Sequence, residues 1–122
     1  MAKNTKTGWK GETDPFYYSA SWRSLRKKHI DLYPLDELKL QFGIVSPATI
    51  VDHIIPRSIT KEFELEEFNL QSLDFLNHQQ KTAQTRGINT LDEFLYHLEF
   101  GKLQSICTEE KKIRLLDILR NG

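Results

Sequence analysis

A chain of 122 residues, 39% apolar and 11% aromatic, is long enough for one compact domain with a single modest core. Seventeen basic residues balance seventeen acidic ones, so net charge alone announces no nucleic-acid or membrane partner, and the lone Cys107 excludes an internal disulfide or a thiolate zinc cage. No apolar run approaches the roughly 18 residues of a membrane helix, and the first residues are polar, so the expectation is a soluble, cytoplasmic protein with no membrane partner.

In chain order, residues 1 to 15 are polar and suggest a flexible arm, with the domain beginning near Asp14 and Pro15. Residues 1 to 28 carry seven Lys or Arg against Glu12 and Asp14, whereas residues 62 to 74 carry five acids and no base, which allows one phosphate-facing side. A helix can start at Ser19 or Ser21, run through Trp22, Leu25, His29 and Leu32, and stop at Pro34. A short helix over 36 to 42 would end at Gly43. Thr49, Ile50, Val51, Ile54 and Ile55, between two prolines, predict a short buried strand, with NLQSL (69 to 73) as its partner after an acidic connection. Asp74 is placed to cap a helix through Thr82. Thr90 with Glu93 is a capping-box pattern ahead of Leu91, Phe94, Leu95 and Leu98, and a last helix begins near Thr108 with Ile113, Leu116 and Leu119 on its apolar stripe. The fold class is therefore α+β, mainly helical with a short two-stranded antiparallel sheet.

The residues that can carry chemistry are Asp52, His53, Asn69, His78 and Lys81, in the order strand, loop, strand, helix. Two strands and a helix can bring Asp52 and His78 to one point, a carboxylate and an imidazole suited to a divalent ion with coordination positions left for water and phosphate. His53 is the candidate general base. Asn69 could accept the second N–H of His53, or could constrain the loop around the site. Lys81 and Arg57 are within reach of a phosphate. Neighbours on a regular strand point to opposite faces, so Asp52 and His53 share a site only at a strand end or a bulge.

The run YPLDELKLQFGIVSPATIVDHIIP, followed by NLQSL and NHQQKT, resembles the HNH endonucleases of phages and prophages from about Tyr17 to Ala83. The resemblance implies a ββα-metal motif at 49 to 84, and the expected organisation is one domain (16 to 122) whose helical extension at 85 to 122 has no counterpart in the family. It implies divalent-metal-dependent DNA hydrolysis, with Asp52 and His78 as metal ligands and His53 and Asn69 as catalytic residues. Arg23 and Arg26 in SWRSLR, with Arg57 and Lys81, are the candidate nucleic-acid contacts. One ion is expected, Mg²⁺ or Mn²⁺ first, with Zn²⁺ or Ni²⁺ as alternatives. The partners so implied are DNA and phage terminase or packaging proteins. A catalytically inactive DNA-binding or assembly module is the competing reading.

Many relatives carry two CxxC pairs that hold a structural zinc, and here the matching positions are Asp36, Lys39, Asp74 and Asn77. A lysine and an asparagine with two carboxylates make a poor zinc cage, so no structural zinc is expected. Either these four form an ion-pair and hydrogen-bond cluster joining the same two segments, or the positions drifted once the tail helices took over stability. Arg57 stands where relatives often have a second histidine.

Overall fold

A computed structural model describes residues 14 to 121. The arm expected over 1 to 15 lies outside the described residues apart from Asp14 and Pro15. Asp14 accepts from the Phe16 amide and caps a 3-10 turn over Pro15–Tyr18. Helix α1 (Ala20–Leu32) begins where a hydroxyl can take an orphan amide: Ser19 Oγ accepts from Trp22 N at 3.2 Å. Helix α2 is shorter than the sequence suggests, Glu37–Leu40 capped by Asp36. Gln41 and Phe42 are drawn instead into the turn that Gly43 closes at φ +77°.

Strands β1 (Ile50–His53) and β2 (Leu70–Leu73) pair antiparallel, with Val51 opposite Ser72, Asp52 opposite Gln71 and His53 opposite Leu70. Helix α3 (Phe75–Thr85) starts at Asp74, whose carboxylate accepts from Asn77 N. It runs about a turn past Thr82, to a reversal at Gly87 with φ +86°. Helices α4 (Leu91–Glu99) and α5 (Glu109–Asn121) complete the chain, with Thr90 Oγ1 and Thr108 Oγ1 accepting the capping bonds.

Strand alternation divides the sheet. Val51, His53 and Leu70 face Trp22 of α1 in a small cluster, while Asp52 and Gln71 face the other way. The larger core lies beyond the strand end, where Ile54 and Ile55 are packed among Phe94, Leu98, Leu103, Ile106 and Leu115. The tail from Ile88 onward, its two helices together with the turn between them, therefore supplies most of the main core. Cys107 is buried in that core, and burial pushes its thiol up to about 12, which leaves it an inert apolar filler.

The four positions that replace the cysteine pairs form one connected cluster. Asp36, fully buried, accepts from Asp74 N at 2.7 Å, from Lys39 N at 2.8 Å and from the Asn77 side-chain amide at 3.0 Å. Lys39 Nζ and Ser46 Oγ both donate to Asp74 Oδ2, at 2.6 and 2.9 Å. Burial pushes the Asp74 carboxyl up, but the bonds from Lys39, Asn77 and Ser46 outweigh it and hold it below the ordinary value. The same contact raises Lys39. This is the hydrogen-bonded alternative of the two left open by the sequence, and it ties the α2 segment to the start of α3.

A second polar brace sits behind the sheet. His29, fully buried, lies between Glu67 at 2.8 Å and Glu37 at 3.0 Å. Glu37 also takes Ser72 N and Lys111 Nζ, each at 2.6 Å, which links α1, α2, β2 and α5.

Candidate metal centre and cleft

Asp52 and His53 share one site because β1 ends at His53: from opposite faces of the last two strand residues, both side chains reach a cleft of about 810 Å³. Its walls also include Tyr17, Arg57, Lys61, His78, Lys81 and Arg86.

The Asp52 carboxylate is held on one side and open on the other. Oδ2 accepts from Gln71 Nε2 at 3.0 Å and pairs with Lys81 Nζ at 3.1 Å, whereas Oδ1 has only a long 3.4 Å bond from Lys81 and stands 3.7 Å from His78 Nε2. Two donors on one ion, each about 2.0–2.2 Å from it, stand roughly 3 to 3.5 Å apart, so Oδ1 and Nε2 need shift by only a few tenths of an ångström to share one. The His78 side chain is 37% exposed against 8% for Asp52, so the open side faces the cleft. Among the described residues no group of three or more His, Cys, Asp or Glu could hold a metal. Asp52 Oδ1 and His78 Nε2 are the two donors that approach each other, a pair that would leave positions on an ion for water and phosphate oxygens.

His53 Nε2 donates to the Glu64 carbonyl at 2.9 Å, which leaves the lone pair of the neutral ring on Nδ1. Its ring stacks on Trp22 at 4.7 Å between centroids, with Phe16 at 5.7 Å. Burial pushes the imidazole below its ordinary value, and Arg57 and Lys81 push the same way against the Glu64 carbonyl and Asp52.

Asn69 has the second of its two anticipated uses. Oδ1 accepts from Ile55 N at 2.8 Å, and Nδ2 donates to Ile55 O and Phe63 O at 3.2 and 3.3 Å. The amide thus pins both ends of the interstrand loop, and that loop supplies the Glu64 carbonyl to His53.

The four anticipated DNA contacts sit differently. Lys81 is buried on α3 and donates to the His53 carbonyl at 2.8 Å as well as meeting Asp52. Arg57 pairs with Asp14 at 2.5 Å and Glu64 at 2.9 Å, beneath the Phe16 ring, and these bonds outweigh its burial and keep it a cation. Arg23 is exposed on α1, and Arg26 donates to Thr49 O at 3.4 Å; neither lines the cleft. Sequence reasoning passed over Gln71 and the stacking of Trp22 on His53. Gln71 was within reach, as the residue two places after Asn69 on the strand facing Asp52, but Trp22, placed on its helix by the sequence, meets His53 across thirty-one residues with no local signal.

No family model matches this chain, and no curated protein does. Among solved structures, it is similar to the HNH endonuclease of the deep-sea thermophilic bacteriophage GVE2, whose crystal structure contains a manganese ion. The two share 31% identity with a TM-score of 0.58, over 63% of this chain and 85% of that one. The chain belongs to the HNH endonuclease family. Within the HNH fold, β1, β2 and α3 form the ββα unit that presents Asp52, His53 and His78 to one cleft.

Proposed function

We propose that this HNH chain is a divalent-metal-dependent endonuclease that hydrolyses DNA phosphodiester bonds. The observation that carries this reading is the 3.7 Å approach of Asp52 Oδ1 to His78 Nε2 in the cleft that His53 also lines. Asp52 and His78 would hold the ion, which when bound neutralises charge on the scissile phosphate and on the departing oxygen. His53 Nδ1 accepts a proton from the attacking water as the new O–P bond forms and the bridging P–O bond breaks. The Glu64 carbonyl fixes the tautomer that makes Nδ1 the acceptor, and Asn69 holds the loop that carries Glu64. Lys81 and Gln71 occupy Oδ2 and so aim Oδ1 at the open side. Manganese in the GVE2 enzyme supports a divalent ion, Mn²⁺ or the similarly hard Mg²⁺, and that enzyme's source supports a phage or prophage setting.

Incubating purified protein with supercoiled plasmid and Mg²⁺, Mn²⁺, Ni²⁺ or Zn²⁺ should give nicked or linear product that disappears with EDTA. A folded protein that leaves the plasmid intact with every ion would instead favour a non-catalytic DNA-binding or assembly module.

The Gln71 amide offers a test of the ligand assignment. It joins Asp52 to the Ile106 carbonyl at 2.9 Å, so the turn between α4 and α5 reaches the Asp52 carboxylate through a single side chain. Gln71→Leu should weaken Mn²⁺ binding by about 10- to 100-fold, read by titration calorimetry. Unchanged affinity in the folded variant would remove Asp52 from the ligand set.

A further inference from the structure

Four cations and two carboxylates line the cleft. Asp52 takes Lys81, and Asp14 takes Arg57, which Glu64 meets as well. Lys61 and Arg86 are left over: both are exposed, and neither has an ion pair or a side-chain hydrogen bond among the described residues, although Lys61 is near enough to Asp14 to help lower its carboxyl. They come from different elements, Lys61 from the interstrand loop that Asn69 pins and Arg86 from the C-terminal end of α3 beyond His78 and Thr82. Arg86 also borders an adjoining hollow of about 580 Å³ lined by Tyr17, Ile50 and Phe75, so it stands where the cleft continues past His78.

We propose that Lys61 and Arg86 are the phosphate grips of the cleft, binding the DNA backbone on either flank of the bond presented to Asp52, His53 and His78. This rests on the nuclease reading. Its physical basis is that an ammonium or guanidinium already paired in a buried site loses those bonds if it turns to a phosphate, whereas an exposed, unpaired cation loses only water and releases a counterion from DNA. The surplus positive charge also falls in the cleft of a chain whose formal net charge is zero, so attraction to DNA is focused there.

The test measures binding of two duplexes of unrelated sequence by fluorescence anisotropy over a salt series, with Mg²⁺, in a His53→Gln background so that the DNA stays whole. Lys61→Gln and Arg86→Gln should each weaken binding several-fold, equally on both duplexes, and each should lower the slope of log K against log salt by about 0.9. Lys102→Gln, at an exposed turn outside the cleft, should leave the slope unchanged. Slopes for Lys61→Gln and Arg86→Gln equal to that of a background protein that does bind would overturn the proposal and leave the nuclease reading standing. A folded background protein with no affinity for either duplex would overturn both. Plasmid cleavage by the wild-type chain reports on the nuclease reading separately.

Discussion

Replacing His53 with glutamine is expected to abolish plasmid cleavage, lowering the rate by about 10²- to 10⁴-fold, in a protein that still folds. The choice of variant follows from the packing. His53 lies flat on Trp22 and bonds the Glu64 carbonyl, so His53→Ala, the simpler control, opens a gap against Trp22 and orphans that carbonyl as well as removing the base. A glutamine amide can still donate to Glu64 but offers no basic nitrogen. Far-ultraviolet circular dichroism and the melting temperature of the Gln variant separate lost chemistry from lost fold. Cleavage by a folded His53→Gln protein at more than a tenth of the wild-type rate would remove His53 from the mechanism.

The same residue sets the pH dependence. Burial lowers the His53 imidazole from its ordinary 6.5, so the neutral, base-competent ring persists into mildly acidic solution. Cleavage should therefore fall only as pH drops through a value below 6.5. The unfolded chain binds this proton more readily than the folded one. The contribution of His53 to stability is thus full above the ordinary value and is lost as pH falls from there towards the depressed one.

Asp36→Ala should be the most damaging change to the fold away from the apolar core. The Asp36 carboxylate is fully buried and takes two backbone amides and the Asn77 side chain, and its loss leaves those donors in a site too tight for free hydration. A cost of about 3 to 5 kcal/mol is expected from breaking a buried charged network. For a domain of this size that lowers Tm on the order of 10 °C or more, read by calorimetry. Asp36→Asn, which keeps one acceptor oxygen, should fall between. Because hydrogen bonds and the Lys39–Asp74 pair hold these segments together, an excess of chelator should leave the Tm of a His78→Ala variant unchanged, the part owed to an ion at Asp52 and His78 being absent there. A drop of many degrees on chelation of that variant would point to a structural ion here, and an Asp36→Ala variant melting within two degrees of wild type would show that the cluster does not brace the fold.

How far the sequence carries the argument depends on the range of each interaction. Ser19, Asp74 and Thr90 announce their helices because a cap acts within three residues, and each accepts the bond its position implies. The β-branched run ending in Asp52 and His53, with NLQSL as partner, is equally local, and the sheet pairs those two segments. Where such local signals compete, the sequence is less sharp: Gly43 draws the end of α2 into a turn, and Gly87 lets α3 run on to Thr85.

By itself, then, the sequence determined the main elements and their order, which rest on spacing and caps, and named candidate residues for chemistry without Gln71. Only the tertiary structure decided what each of those residues touches. The hydrogen-bond partner of His53 is a carbonyl eleven residues away, Asp52 depends on Gln71 and Lys81, and Arg57 is turned inward by Asp14 from forty-three residues upstream. The tail, which reads as an extension, holds most of the main core around Ile54 and Ile55 through its helices and the turn between them. The physical reason is the same in each case: a charge or a hydrogen-bond donor is satisfied by whatever the packed chain places within about 3 Å, and no periodicity along the sequence encodes that neighbour.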